Sequence, residues 1–301
     1  MESATPAAPF PYAHPDPLPE HPELPDGVER RDSLPPWRPW TSWAALVAGF
    51  AGALFGALCI GVIAAFGGSD FSNPPPAANI AGTVVQDACL IGAALIFAQM
   101  TAPPRPWQFG LRPTRFWRAL GLMALTWGGF YVFTIAWVGI LGLKDTQEKL
   151  PEELGADKST VALIAVAFLV TVVAPIAEEF FFRGYFFTAL RNWKGLWPAA
   201  IITGTVFGAI HAGGSSAAFL VPLGVFGFGL CLLYARTGSL YPCIALHCAN
   251  NSLALGVSEH WSWQIPVVLV SALAVIAAVA LAVRRWWSRP PSQPRPAAAP
   301  A

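Results

Sequence analysis

Apolar stretches near the twenty residues needed to cross a bilayer recur along most of this chain. They fall at about 41–66, 78–100, 117–143, 160–190, 197–212, 217–235, 239–256 and 265–284. In hydrocarbon a segment must satisfy its own backbone hydrogen bonds, and an α-helix does so without a partner strand. The expectation is an all-α, polytopic transmembrane bundle of about eight spans. The fourth stretch is longer than a bilayer requires, and the fifth is short enough to be a tilted or partial span. Composition agrees: 55% of the 301 residues are hydrophobic and 12% are charged. That charged fraction is about half the usual one and leaves little with which to build a water-soluble surface.

The two ends are a different material. Residues 1–40 and 287–301 are rich in proline, with pairs such as Pro35-Pro36. Such segments bury too little apolar area to fold, so disordered tails are expected around a transmembrane domain at 41–286. No short apolar core follows a basic start, so the N-terminus does not read as a secretory signal. The formal net charge is +1 with no long basic run, which argues against a nucleic-acid partner. The five cysteines form no CxxC pair and read as small buried hydrophobes.

Basic residues set an orientation. Arg30, Arg31 and Arg38 precede the first span, and residues 67–77 contain no Lys or Arg. Arg105, Arg112, Arg115 and Arg118 crowd the next loop, whereas the third mixes Lys144, Lys149 and Lys158 with acids. Arg191, Lys194 and Arg236 mark later loops, and Arg284, Arg285 and Arg289 lie at the end. The alternation fits eight spans with both termini in the cytoplasm. Trp117, Trp197, Trp286 and Trp287 fall at the expected boundaries, where indole rings prefer to sit.

The polar residues that interrupt the apolar stretches carry the functional information. A charge at mid-bilayer costs at least about 2.5–3.5 kcal/mol, so each needs a reason. Glu178, Glu179 and Arg183 lie amid aromatics in the fourth stretch. On a helix Glu179 and Arg183 share a face and can pair, while Glu178 is rotated about 100° away. One glutamate would then be held and the other left free for chemistry, although a plain Glu–Arg lock between helices fits the pair equally well. His211 ends the fifth stretch, and His247 and Asn251 stand four apart in the seventh, where they could also be interhelical hydrogen-bond glue. Asp87 is a lone acid in the second stretch. Together, carboxylate, imidazole and carboxamide can activate water and stabilise an oxyanion, or Glu178, His211 and His247 can bind zinc. At about 1.5 Å per residue, Glu178, His211 and His247 lie roughly 18, 20 and 12 Å from their cytoplasmic helix ends.

Glu178-Glu179-x-x-x-Arg183, Phe207-x-x-x-His211 and His247-x-x-x-Asn251, in this order, resemble the three signature motifs of the CAAX protease and bacteriocin-processing family. The resemblance covers roughly residues 160–256. It implies an intramembrane endopeptidase in which Glu178, helped by His211, activates water. Glu179 and Arg183 would complete the first motif, and His247 and Asn251 would stabilise the oxyanion or join a metal site. Zinc and a metal-free glutamate mechanism both remain open, because no His-Glu-x-x-His helix is present. The expected partners are membrane lipid and a peptide or membrane-protein substrate. The alanine- and proline-rich composition suggests a bacterial cytoplasmic membrane, where a prenylated substrate is not expected. The alternatives are a non-catalytic scaffold or immunity protein and a transporter; no internal repeat favours the latter. Oligomeric state is not legible.

Overall fold

The computed structural model describes residues 35–70, 74–143 and 150–287. Most of both expected tails, Lys144, Lys149 and the side chains of Trp286 and Trp287 lie outside the described residues. Eight helices fall on the eight expected stretches: α1 Pro39–Phe66, α2 Pro76–Gln99, α3 Phe116–Leu141, α4 Thr160–Lys194, α5 Leu196–Ala209, α6 Ala217–Thr237, α7 Tyr241–Ser258 and α8 Gln264–Trp287. No β-strand occurs among the described residues.

Six of these helices, α1, α2, α3, α4, α6 and α8, are long and apolar enough to cross a membrane, two fewer than the eight expected spans. The other two differ for separate reasons. Helix α5 has 14 residues, about 21 Å of rise against a hydrocarbon core of about 30 Å. Helix α7 has 18 residues, and His247, Asn250 and Asn251 lower its hydropathy. Its polar groups turn inward, with His247 and Asn250 both buried.

The surface is the reverse of a soluble protein's. Phe66, Ile140 and Leu54 are 91%, 83% and 74% exposed, as lipid-facing side chains would be. Trp117 and Trp197 are exposed at the first turns of α3 and α5. Helix α4 is the central element: 56% of its most apolar window is buried, against 6% for α3 and 11% for α1 and α8. Its start is capped by Ser159 Oγ, which accepts from the Ala162 N–H at 3.1 Å.

Helix α4 is also irregular. Wide π turns at Leu169–Val173 and Phe180–Phe187 flank the α-helical turn Ala174–Glu179. Pro175 accounts for the first, because it has no N–H for the carbonyl one turn earlier and its ring crowds that carbonyl. The chain widens instead, and the Ala174 N–H bonds to the Leu169 carbonyl. Within the second, Thr188 Oγ1 donates to the Arg183 carbonyl at 2.9 Å.

Helices α5 and α6 approach closely through Gly204-x-x-x-Gly208, the small-residue spacing that lets membrane helices touch backbones. A Cβ at Gly204 would stand 2.6 Å from the Gly224 carbonyl oxygen, and one at Gly208 would overlap the Leu220 carbonyl oxygen. Residues 35–40, which the sequence places in the N-terminal tail, belong to the fold. Trp37 is 3% exposed, its ring 4.8 Å from Phe109 and 4.9 Å from Tyr185. Asn192 Nδ2 donates to the Pro35 and Trp37 carbonyls at 2.6 and 3.3 Å. One large aromatic anchor overrides a locally tail-like composition. The basic loop after α2 is likewise docked: Arg112 Nε donates to the Gly238 carbonyl, and Ser239 Oγ to the Arg112 carbonyl, both at 2.5 Å.

Candidate active site

The site is assembled where α4 meets α6 and α7. Glu179 is fully buried, and its Oε1 accepts from Arg183 Nη1 at 2.7 Å and from His247 Nδ1 at 2.8 Å. The first bond joins residues four apart on α4, and the second closes across to α7. Arg183 is fully buried as well. Its Nη2 donates to the Gly227 carbonyl of α6 at 3.0 Å, and its guanidinium lies 4.4 Å from the Phe207 ring centroid. The guanidinium is thus matched at both terminal nitrogens and on one face, while its Nε is buried without a hydrogen-bond partner among the described residues.

Glu178 points elsewhere. Its side chain keeps 13% exposure, and its Oε2 is buried with no hydrogen-bond partner among the described residues. That oxygen lies 3.9 Å from His247 Nε2, beyond hydrogen-bond distance. Glu179 is therefore clamped through Oε1, while the Oε2 of each glutamate has no hydrogen-bond partner among the described residues.

A carboxylate oxygen only accepts, so the 2.8 Å contact to Glu179 requires His247 to donate from Nδ1. His247 can then meet a substrate only through Nε2. The imidazole is wedged between Phe207 and Phe226, both 5.8 Å away between centroids. His211 is arranged in the same way at the end of α5, donating Nδ1–H to the Phe207 carbonyl at 2.7 Å. Its ring lies 4.9 Å from Phe207, so Phe207 is the shared wall between the two histidines.

Asn251 is placed differently from the other motif residues. Its Nδ2 donates to the Val170 carbonyl at 2.9 Å, tying α7 to the first π turn of α4. Asn250 accepts from Trp127 Nε1 at 3.4 Å and from Tyr131 O–H at 3.3 Å, tying α7 to α3. Glu178, Glu179, Arg183 and His247 thus come together in one cluster, His211 borders it through Phe207, and Asn251 joins helices. The contributions of Phe226 and the Gly227 carbonyl were not legible in the sequence. Gly227 carries a signal only in hindsight: a Cβ there would stand 2.9 Å from Phe207 Cβ.

For zinc, the donors are suitable one at a time, because each histidine donates Nδ1–H and leaves Nε2 as a lone-pair donor. The expected metal set of Glu178, His211 and His247 is nevertheless not gathered. Among the described residues no group of three or more His, Cys, Asp or Glu is placed to hold a metal ion. In this arrangement the set does not fit zinc: Glu178 Oε2 and His247 Nε2 are 3.9 Å apart, and His211 does not join them in a group placed to share one ion.

Comparison with known proteins bears on the same stretch. The family model described as "Type II CAAX prenyl endopeptidase Rce1-like" matches residues 160–253, which contain all seven motif residues. Residues 160–253 form an Rce1-like segment. A protein of Escherichia coli named "Uncharacterized 24.3 kDa protein" is 28% identical over 139 residues, 45% of this chain and 61% of its own length. The "Putative membrane peptidase YdiL" of Bacillus subtilis (strain 168) is 32% identical over 85 residues, 28% of this chain and 34% of its own length. The chain spans less than two thirds of either relative. No solved structure matches it significantly. An Rce1-like segment in a chain with six long apolar helices points to an integral membrane protein. Helices α1, α2 and α3 lie outside the Rce1-like segment.

Proposed function

We propose that this protein is an intramembrane endopeptidase of the CAAX-protease type, which hydrolyses a peptide bond at or in the membrane with Glu178 as the base. The observation that carries this reading is the division between the two glutamates. Arg183 and His247 hold the fully buried Glu179 through Oε1, whereas Glu178 keeps 13% exposure and its Oε2, 3.9 Å from His247 Nε2, has no hydrogen-bond partner among the described residues. A scaffold needs only the Glu179–Arg183 lock, and Glu178 is surplus to it.

Glu178 takes a proton from water as the water oxygen bonds to the scissile carbonyl carbon, and the same proton later passes to the leaving amine. His247 is held in place by its Nδ1–H bond to Glu179, and when it carries a second proton on Nε2 it donates that N–H to the developing oxyanion. His211, bound through Nδ1 to the Phe207 carbonyl, assists the proton transfer to Glu178 through Nε2. Asn251 acts by holding α7 against α4. No step passes through a metal. The substrate is a peptide precursor or membrane protein that presents its scissile bond at the depth of Glu178. The basic loops support a cytoplasmic location of both termini, and the alanine- and proline-rich composition supports a bacterial membrane.

The test is purified protein in proteoliposomes with a library of transmembrane and membrane-anchored peptides, the products read by mass spectrometry. Wild type is expected to generate new termini that Glu178→Ala does not. No cleavage by wild type, or the same products from Glu178→Ala, would overturn the proposal. Transbilayer uptake of a solute without proteolysis would favour a transporter.

A further inference from the structure

A further carboxyl group approaches the site from α2, outside the Rce1-like segment. Asp87 lies in the middle of α2 and is 2% exposed. Neither Oδ1 nor Oδ2 has a hydrogen-bond partner among the described residues. Helix α2 packs against the Ala174–Glu179 turn of α4, and Glu178 is close enough to act on Asp87 electrostatically. Arg183, the cation buried in that region, directs Nη1 to Glu179 and Nη2 to the Gly227 carbonyl, and its Nε bonds neither carboxyl group. Helix α1, which also packs on α2, carries no charged side chain from Pro39 to Phe66.

The buried Asp87 carboxyl and the buried Oε2 of Glu178 thus come from two helices packed together, and among the described residues no hydrogen-bond donor meets either. Leaving such groups unmatched is costly, and in native structures an orphaned buried polar atom points to a ligand or an ordered water. The small donor that matches two acceptors at once is water, which has two O–H bonds. Hydrolysis consumes water in any case, and a bilayer excludes it.

We propose that Asp87 is a further residue of the hydrolytic site: it accepts one O–H of the attacking water while Glu178 accepts the other. Resting on the peptidase reading above, this gives α2 a part in the chemistry. With both hydrogens fixed, a lone pair of the water oxygen is aimed at the scissile carbonyl. As the C–O bond forms, the proton facing Glu178 moves to that carboxylate. The proton facing Asp87 stays on the oxygen as the hydroxyl of the tetrahedral intermediate. Collapse breaks the C–N bond, and Glu178 returns its proton to the amine.

The test is a double-mutant cycle of Asp87→Asn and Glu178→Gln in proteoliposomes. It is read on a quenched-fluorescent transmembrane peptide that wild type cuts, with thermal unfolding measured in parallel. D87N is expected to unfold within a few degrees of wild type and to lose kcat by about 10²-fold, as for a misplaced reactant, with KM within about twofold. The double variant is expected to be no slower than E178Q, because both residues act on one water. Wild-type kcat in a folded D87N, or losses that multiply in the double variant, would overturn the proposal. Asp87→Ala is read in the same way if the amide variant does not fold. E178Q at the wild-type rate would remove the peptidase reading and this one together, whereas a slow E178Q beside a fast D87N would remove Asp87 alone.

Discussion

Replacing the two adjacent glutamates one at a time separates a structural carboxylate from a chemical one. Glu179 is fully buried and accepts charge-assisted bonds at 2.7 and 2.8 Å. Such bonds contribute about 1.5–3 kcal/mol each, and breaking a buried pair by removing one partner costs about 3–5 kcal/mol. Glu179→Gln leaves the Arg183 guanidinium buried without its counter-charge, so the upper range applies. At about 2–4 °C per kcal/mol for a domain of this size, the variant should melt about 6–20 °C below wild type. Glu178 has no such attachments at Oε2 and keeps 13% exposure. Glu178→Gln removes a poorly matched buried charge and should melt within about 2 °C of wild type, a change under about 1 kcal/mol. A thiol-reactive dye in detergent micelles reads both, because Cys231, Cys243 and Cys248 are buried until the bundle opens while Cys59 sets the baseline. Equal melting of the two variants, or a larger loss in Glu178→Gln, would refute the division between them.

Three further outcomes are expected. Gly208→Leu should abolish the folded signal, because even a Cβ there meets the Leu220 carbonyl and comes within 2.8 Å of the Gly224 nitrogen, whereas Gly82→Ala, with nothing within 4 Å of the added carbon, should leave melting at or above wild type. Asn251→Leu should lower stability by about 0.6–2 kcal/mol, the range for one interhelical hydrogen bond in a membrane, seen as a melting decrease of a few degrees. Exhaustive dialysis against a chelator should leave kcat unchanged, and an activity loss that zinc restores would return Glu178, His211 and His247 to a metal role.

What the sequence disclosed and what it withheld divide along the range of the interactions. The helices were legible because length and apolarity are local, and so was the Glu179–Arg183 ion pair, which forms at 2.7 Å, because a spacing of four is a property of one helix. The number of free-standing spans was less legible: α7 reads as a span from its flanks, yet His247, Asn250 and Asn251 make it an inner helix that others cover. The partners of His247 and Asn251 belong to α4, 68 and 81 residues away, and no pattern within α7 names them. Asp87 looked like an isolated acid because its relation to Glu178 exists only once α2 packs on α4. The π turns were half visible, since Pro175 marks the first while the second has no comparable breaker. Trp37 shows the converse, a short proline-rich stretch held by one ring that finds a buried seat.

The most direct measurement is the kcat of Glu178→Gln relative to wild type on one cleaved peptide, in the same lipid and with matched melting temperatures. Removal of a general base predicts a decrease of about 10²–10⁴-fold. A folded variant that turns over within a few-fold of wild type would contradict the assignment of the water-activating base to Glu178.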